Sequence, residues 1–256
     1  MMRSFLSNSK IIFHFSLLNY SLKVVLFSTF ISFLFTNCLY AKFGLNPEGV
    51  INSFNPQGEK LIALTFDACS GNYDRELIDF LVKNKIKATL FISGKWIDKN
   101  KQILKRLSKI NYFEIENHGL THRPLSIDCK SAYGIKGTCS KKEIIDEVLK
   151  NESKIFAITG IKTKFFRAGT AHYDTEAIEI IKKFGYKIIG FNVNADFGAT
   201  ADTNTIFKQV TNAKPGSIII AHMNHPEGKT FEGFRKAILV LKKRGYKFVK
   251  LEEVIK

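Results

Sequence analysis

From Glu59 onward the spacing of apolar residues alternates between two periods. KLIALTF (Lys60 to Phe66) is a short apolar run that predicts a buried strand. DRELIDFLVKN, from Asp74, places Leu77, Ile78 and Leu81 on one helical face. The alternation continues with a strand over 88–93 and a helix to about Ser108 carrying Trp96, Ile97, Ile103, Leu104 and Leu107. FEIEN (Phe113 to Asn117) follows as a strand. Ser140, with Glu143 three residues on, predicts a capping box. The helix it opens carries Ile144, Ile145, Val148, Leu149, Ile155 and Phe156 as its apolar set. A short strand then ends at Arg167, and further strand–helix units follow, with helices closed by Gly185 and Gly245. Such units imply parallel strands covered by helices. The number of units predicts an α/β barrel of about seven strands, read as a single domain over residues 59–256. No strand is followed by a glycine-rich phosphate cradle, which removes the nucleotide-binding folds.

The chain's first part obeys a different pattern. Residues 1–41 hold Arg3, Lys10 and Lys23, no acid, and the apolar run VVLFSTFISFLF (Val24 to Phe35). That length suits a signal-peptide core, with Leu39 and Ala41 before a cut at Lys42; the alternative is an uncleaved membrane anchor. Either reading predicts an exported protein, in contact with a membrane only through this segment. Residues 42–58, rich in Asn, Gly and Pro, read as a linker or irregular lead-in. In an oxidising compartment Cys129 and Cys139, which bracket KSAYGIKGT, are expected to form a disulfide, with Cys69 left over. The net charge is +16, but the lysines are scattered through amphipathic segments, so no nucleic-acid partner is expected and the chain is read as a monomer.

Candidate chemistry gathers at predicted strand ends, the edge where α/β barrels build their sites. LTFDACSG (Leu64 to Gly71) delivers Asp67. NHGLTH places His118 and His122 four residues apart, able to share a metal ion if the segment turns helically. FFRAGTAHY supplies Arg167 and His172, NADF supplies Asp196, and IIIAHMNH supplies His222 and His225. Acids, imidazoles and one arginine at these positions form a kit for metal-assisted hydrolysis.

These motifs, in this order, resemble the polysaccharide deacetylases of the NodB-homology type, carbohydrate esterase family four, over roughly residues 59–256. The resemblance implies a distorted α/β barrel, zinc or a similar divalent ion, and an N-acetylated glycan as substrate. It implies Asp67 as catalytic base, Arg167 as the residue that orients it, and His118 and His122 as metal ligands. His222 would be the general acid and Asp196 the partner that tunes it, with a backbone N–H near Tyr173 as oxyanion donor. The family's TFDDG carries a second Asp as third metal ligand; here that place is Ala68. Asp74 is the best substitute in sequence, although it equally suits a helix N-cap. A Cys69 thiolate is the lesser alternative, because its side chain should point away from that of Ala68. The expected activity is removal of N-acetyl groups from an amino-sugar polysaccharide or cell-wall glycan. The alternatives are a deacetylase for a non-sugar amide or O-acetyl ester, and a saccharide-binding protein without catalysis.

Overall fold

In the computed structural model, which describes residues 42–256, the chain begins with two short strands, β1 (Gly44–Leu45) and β2 (Val50–Ile51). The leader read at residues 1–41 lies outside the described residues. The alternation then runs β3 (Leu61–Ala68), α1 (Arg75–Lys83), β4 (Ala88–Ile92), α2 (Gly94–Leu107) and β5 (Phe113–Asn117). A small hairpin, β6 (Ser131–Ala132) and β7 (Ile135–Lys136), precedes α3 (Lys141–Thr159), β8 (Phe165–Phe166), β9 (His172–Tyr173) and α4 (Thr175–Lys182). The remainder is β10 (Lys187–Ile189), β11 (Val193–Asn194), α5 (Thr203–Thr211), β12 (Ile218–His222), α6 (Thr230–Lys243), β13 (Lys247–Val249) and α7 (Leu251–Val254).

The main sheet runs β11-β12-β3-β4-β5-β8-β10-β2, and β13 pairs with the first half of β3. Its pairings are parallel, and it curls into a half-barrel, the α/β barrel expected from the pattern in the distorted form that the resemblance implied. The 42–58 segment is more than a lead-in. Its β2 extends the sheet beside β10, and β1 pairs antiparallel with β9.

Alternation along β3 sorts the core from the site. Ile62, Leu64, Phe66 and Ala68 pack outward into the layer shared with α1, α2 and α6. Burying each of the larger three stabilises by roughly 1.5–3 kcal/mol. Ala63 instead joins Phe91, Phe165, Ile189, Ile218 and Ile220 inside the curl. Thr65 and Asp67 share that inner face, since residues two apart on a strand point the same way.

Side chains at the helix starts fix where the layers begin. Asp74, Ser93, Ser140 and Asp174 each accept the backbone N–H three residues on, at 2.9, 3.1, 3.2 and 2.8 Å. Each such cap stabilises by about 1 kcal/mol. The box expected at Ser140 is altered, because the Glu143 carboxylate accepts the N–H of Cys139 rather than that of Ser140. Phe156, placed in the apolar set of α3, is exposed. The face is instead completed by Glu147 and Asn151, whose polar groups serve the loops around the site.

Candidate active site

The site lies at the C-terminal ends of β3, β5, β8 and β12. Asp67 is next to last on β3 and stands opposite His222, the last residue of β12, in the parallel ladder. Arg167 follows β8 directly, and its guanidinium reaches across the curl. It donates from Nη1 to Asp67 Oδ1 at 2.7 Å and to Thr65 Oγ1 at 2.8 Å. Nη2 donates to the Gly190 carbonyl at 2.8 Å, Nε to that of Ile189 at 3.3 Å, and the group stacks 4.3 Å from the Phe91 ring. A fully buried charge is tolerated only when paired and bonded in this way. Burial by itself would raise the Asp67 pKa, but the positive field of Arg167, with His118 and His222, outweighs it and holds the carboxyl low.

His118 follows β5. Its Nδ1 donates to the Arg167 carbonyl at 2.8 Å, which leaves Nε2 as the free lone pair. That atom lies 3.5 Å from Asp67 Oδ2 and 3.5 Å from Cys69 Sγ. The His118 and His122 rings meet edge-on with centroids 4.9 Å apart. No helical turn brings them together. Residues 118–122 form a loop in which Gly119 (φ +79°) and His122 (φ +61°) adopt left-handed backbone. The loop is held by Glu147, which accepts from the Thr121 N–H at 2.8 Å and the Thr121 hydroxyl at 2.6 Å. A Cβ on Gly119 would come within 2.7 Å of that carboxylate.

His222 is oriented by Asp196, which is fully buried. Asp196 Oδ1 accepts the Nδ1–H at 2.9 Å, and Oδ2 accepts the His222 backbone N–H at 2.7 Å and the Thr230 hydroxyl at 3.0 Å. Burial opposes the imidazolium, but Asp196, together with Cys69, outweighs it, so the His222 pKa stands well above its ordinary value.

The other sequence candidates divide. Asp74 is occupied at the start of α1, and it is absent from the cluster of donors able to hold a metal. That cluster consists of Cys69, His118 and His122, whose ligand atoms all lie within 4.8 Å of one another. The parity that sends the Cys69 side chain away from that of Ala68 brings it to this cluster. Ala68 faces the helices, so Cys69 falls on the Asp67 face. His172 stands apart between the rings of Phe43 and Tyr133, and His225 pairs with Glu227 at 2.8 Å on the surface. Tyr173 is buried, and its hydroxyl accepts the Ala168 N–H at 2.8 Å. Cys129 and Cys139 are joined by a disulfide. Glu147, Thr65 and Thr230 escaped the sequence reading; only their burial and long-range partners reveal them.

Residues 54–189 match the family model described as polysaccharide deacetylase, a span that contains Asp67, His118, His122 and Arg167. The chain belongs to this family. Asp196 and His222 lie beyond the matched span. Among known relatives of this deacetylase family member is the peptidoglycan-N-acetylglucosamine deacetylase of Bacillus cereus. It is 26% identical, with 83% of this chain and 96% of the relative covered. The peptidoglycan-N-acetylmuramic acid deacetylase of Bacillus subtilis is 25% identical, covering 77% and 72%. A solved CE4 family pseudoenzyme from Bacillus anthracis superimposes with a TM-score of 0.69 at 27% identity, over 83% of this chain and 70% of the other. A mutant of that pseudoenzyme with restored enzymatic activity matches at 28% and 0.69, over 83% and 72%.

Proposed function

We propose that this deacetylase-family chain is a metal-dependent amide hydrolase that removes acetyl groups from an N-acetylated amino-sugar glycan, peptidoglycan being the foremost candidate. The observation that carries the reading is the register of Asp67, locked by Arg167, against His222, locked by Asp196. A base and an acid stand side by side at one strand edge, each with its own orienting partner. Asp67 would accept a proton from the attacking water, Oδ2 being the oxygen that Arg167 leaves open. His222 would return a proton through Nε2 to the departing amine, with Asp196 holding Nδ1–H in the required tautomer. The net change is amide plus water to amine plus acetate.

His118 and His122 are the imidazoles that would hold a divalent ion, zinc for preference; His118 is buried with its tautomer fixed by the Arg167 carbonyl, His122 is half-buried beside it, and this donor set fits one. When bound, such an ion acidifies water and polarises a carbonyl.

Export is part of the same proposal. Residues 1–41 would act as a signal peptide or anchor. The Cys129–Cys139 disulfide fits an oxidising compartment, and the relatives named for peptidoglycan act on a substrate outside the membrane. No helix among the described residues is long and apolar enough to cross a membrane.

A second reading, glycan binding without turnover, is favoured by one fact: the pseudoenzyme among the solved neighbours. The two separate in one assay, acetate release from peptidoglycan, N-acetylated sugar oligomers and a panel of small amides and O-acetyl esters. Release from the glycans that Asp67→Asn abolishes supports the hydrolase. Glycan binding without release, by metal-loaded protein, supports the second reading.

A further inference from the structure

We propose that Cys69, as a thiolate, is the third protein ligand of the metal centre, so that a Cys-His-His set replaces the carboxylate-His-His set implied by the family's motif. The inference rests on the reading of His118 and His122 as ligands in the proposed hydrolase.

Parity on β3 supplies the first argument. Thr65 and Asp67 both bond Arg167 on the inner face, and Cys69 is the next residue in that series. Ala68 is buried among the helix-side residues, so a carboxylate at that position on this backbone would enter the apolar layer. The shift of one residue, from the motif's second Asp to Cys69, therefore moves the donor back onto the site face.

Distance supplies the second. Bonds of about 2.3 Å to sulfur and 2.0–2.1 Å to nitrogen at a tetrahedral angle set sulfur and nitrogen roughly 3.6 Å apart. Cys69 Sγ and His118 Nε2 are 3.5 Å apart, and the three donor atoms lie within 4.8 Å of one another.

The third argument is that the backbone of Cys69 is fixed and its sulfur is bound in no disulfide. Its carbonyl accepts the Ser93 hydroxyl at 2.5 Å and its N–H donates to Asn224 Oδ1 at 3.4 Å. Among the described residues it is the free cysteine. Asp74, the rival ligand, already accepts from the Leu77 N–H, and Asp67 keeps Oδ1 on Arg167. A thiolate in place of a carboxylate also biases the centre toward zinc or cobalt and away from magnesium or manganese, which prefer oxygen donors.

Cobalt(II) titration of the metal-stripped full-length chain tests this. One equivalent of cobalt should produce a thiolate-to-cobalt charge-transfer band in the near ultraviolet. Cys69→Ser should lose the band, Cys69→Asp should bind cobalt without it, and Asp74→Asn should keep it. Prior loading with zinc should shield Cys69 from alkylation by iodoacetamide. Wild-type protein that binds no cobalt, or binds it without the band, overturns the proposal, as does a band that survives Cys69→Ser. The wild-type spectrum decides even if the variants fail to fold. Acetate release is read separately. The band without release leaves this centre standing and removes the hydrolase reading; release without the band does the reverse.

Discussion

Asp67 and Arg167, one hundred residues apart in sequence, meet at 2.7 Å with both side chains out of solvent. The pair ties the first strand of the alternation to the loop after β8. Removing either partner leaves a different deficit. Asp67→Asn keeps an acceptor for Arg167 but no base. Its hydrolysis rate should fall by about 10²–10⁴ with little change in thermal midpoint. Arg167→Met strands a buried carboxylate and should cost about 3–5 kcal/mol of stability, read as a lower denaturant midpoint.

Asp196→Asn probes the His222 tautomer. The amide can turn its NH₂ toward Nδ1 and favour the wrong ring proton. The expected outcome is a kcat lowered by about 10²-fold or more with KM nearly unchanged, measured by steady-state acetate release. An equal loss in KM alone would remove Asp196 from this role.

Glu147 fastens the loop that carries His122, through bonds to Thr121 at 2.8 and 2.6 Å. Glu147→Ala should weaken metal affinity by about 10- to 100-fold, the usual cost of losing a group that orients a ligand. Competition with a chromogenic chelator measures this directly.

The disulfide between Cys129 and Cys139 closes a loop of ten-residue separation. Replacing both with serine should lower stability by about 3 kcal/mol at most. Reductant added to the wild type should reproduce the shift in thermal midpoint, and should leave the double serine variant unmoved.

Glu116 sits buried on β5, where it accepts the N–H groups of Lys164 and Phe165 at 2.9 and 2.8 Å. Burial, reinforced by neighbouring Glu114, raises its pKa well above the ordinary value of 4.5. A carboxyl with a raised folded-state pKa binds its proton more tightly when folded. Its contribution to stability is therefore full below pH 4.5 and is lost as pH rises through the folded value. Urea midpoints should fall across that window in the wild type, and the slope should flatten in Glu116→Gln. An unchanged slope would show that Glu116 is not the group responsible.

The pattern of apolar residues determined the order of strands and helices, because burial on one face or one stripe leaves a periodic mark in the chain. It also determined that Asp67, Arg167 and His222 stand at strand ends, since each directly interrupts or ends an apolar run. What it left undecided is how far each run extends. β3 continues through Ala68, so one further residue of pairing sent alanine to the helices and Cys69 to the site face. The reach of Glu147, Thr65 and Thr230 was equally hidden, because their partners lie 26, 102 and 34 residues away. Period and composition are local properties of a chain. The meeting of Cys69 with two imidazoles from another strand is set by curl and register, which exist only once the sheet has formed.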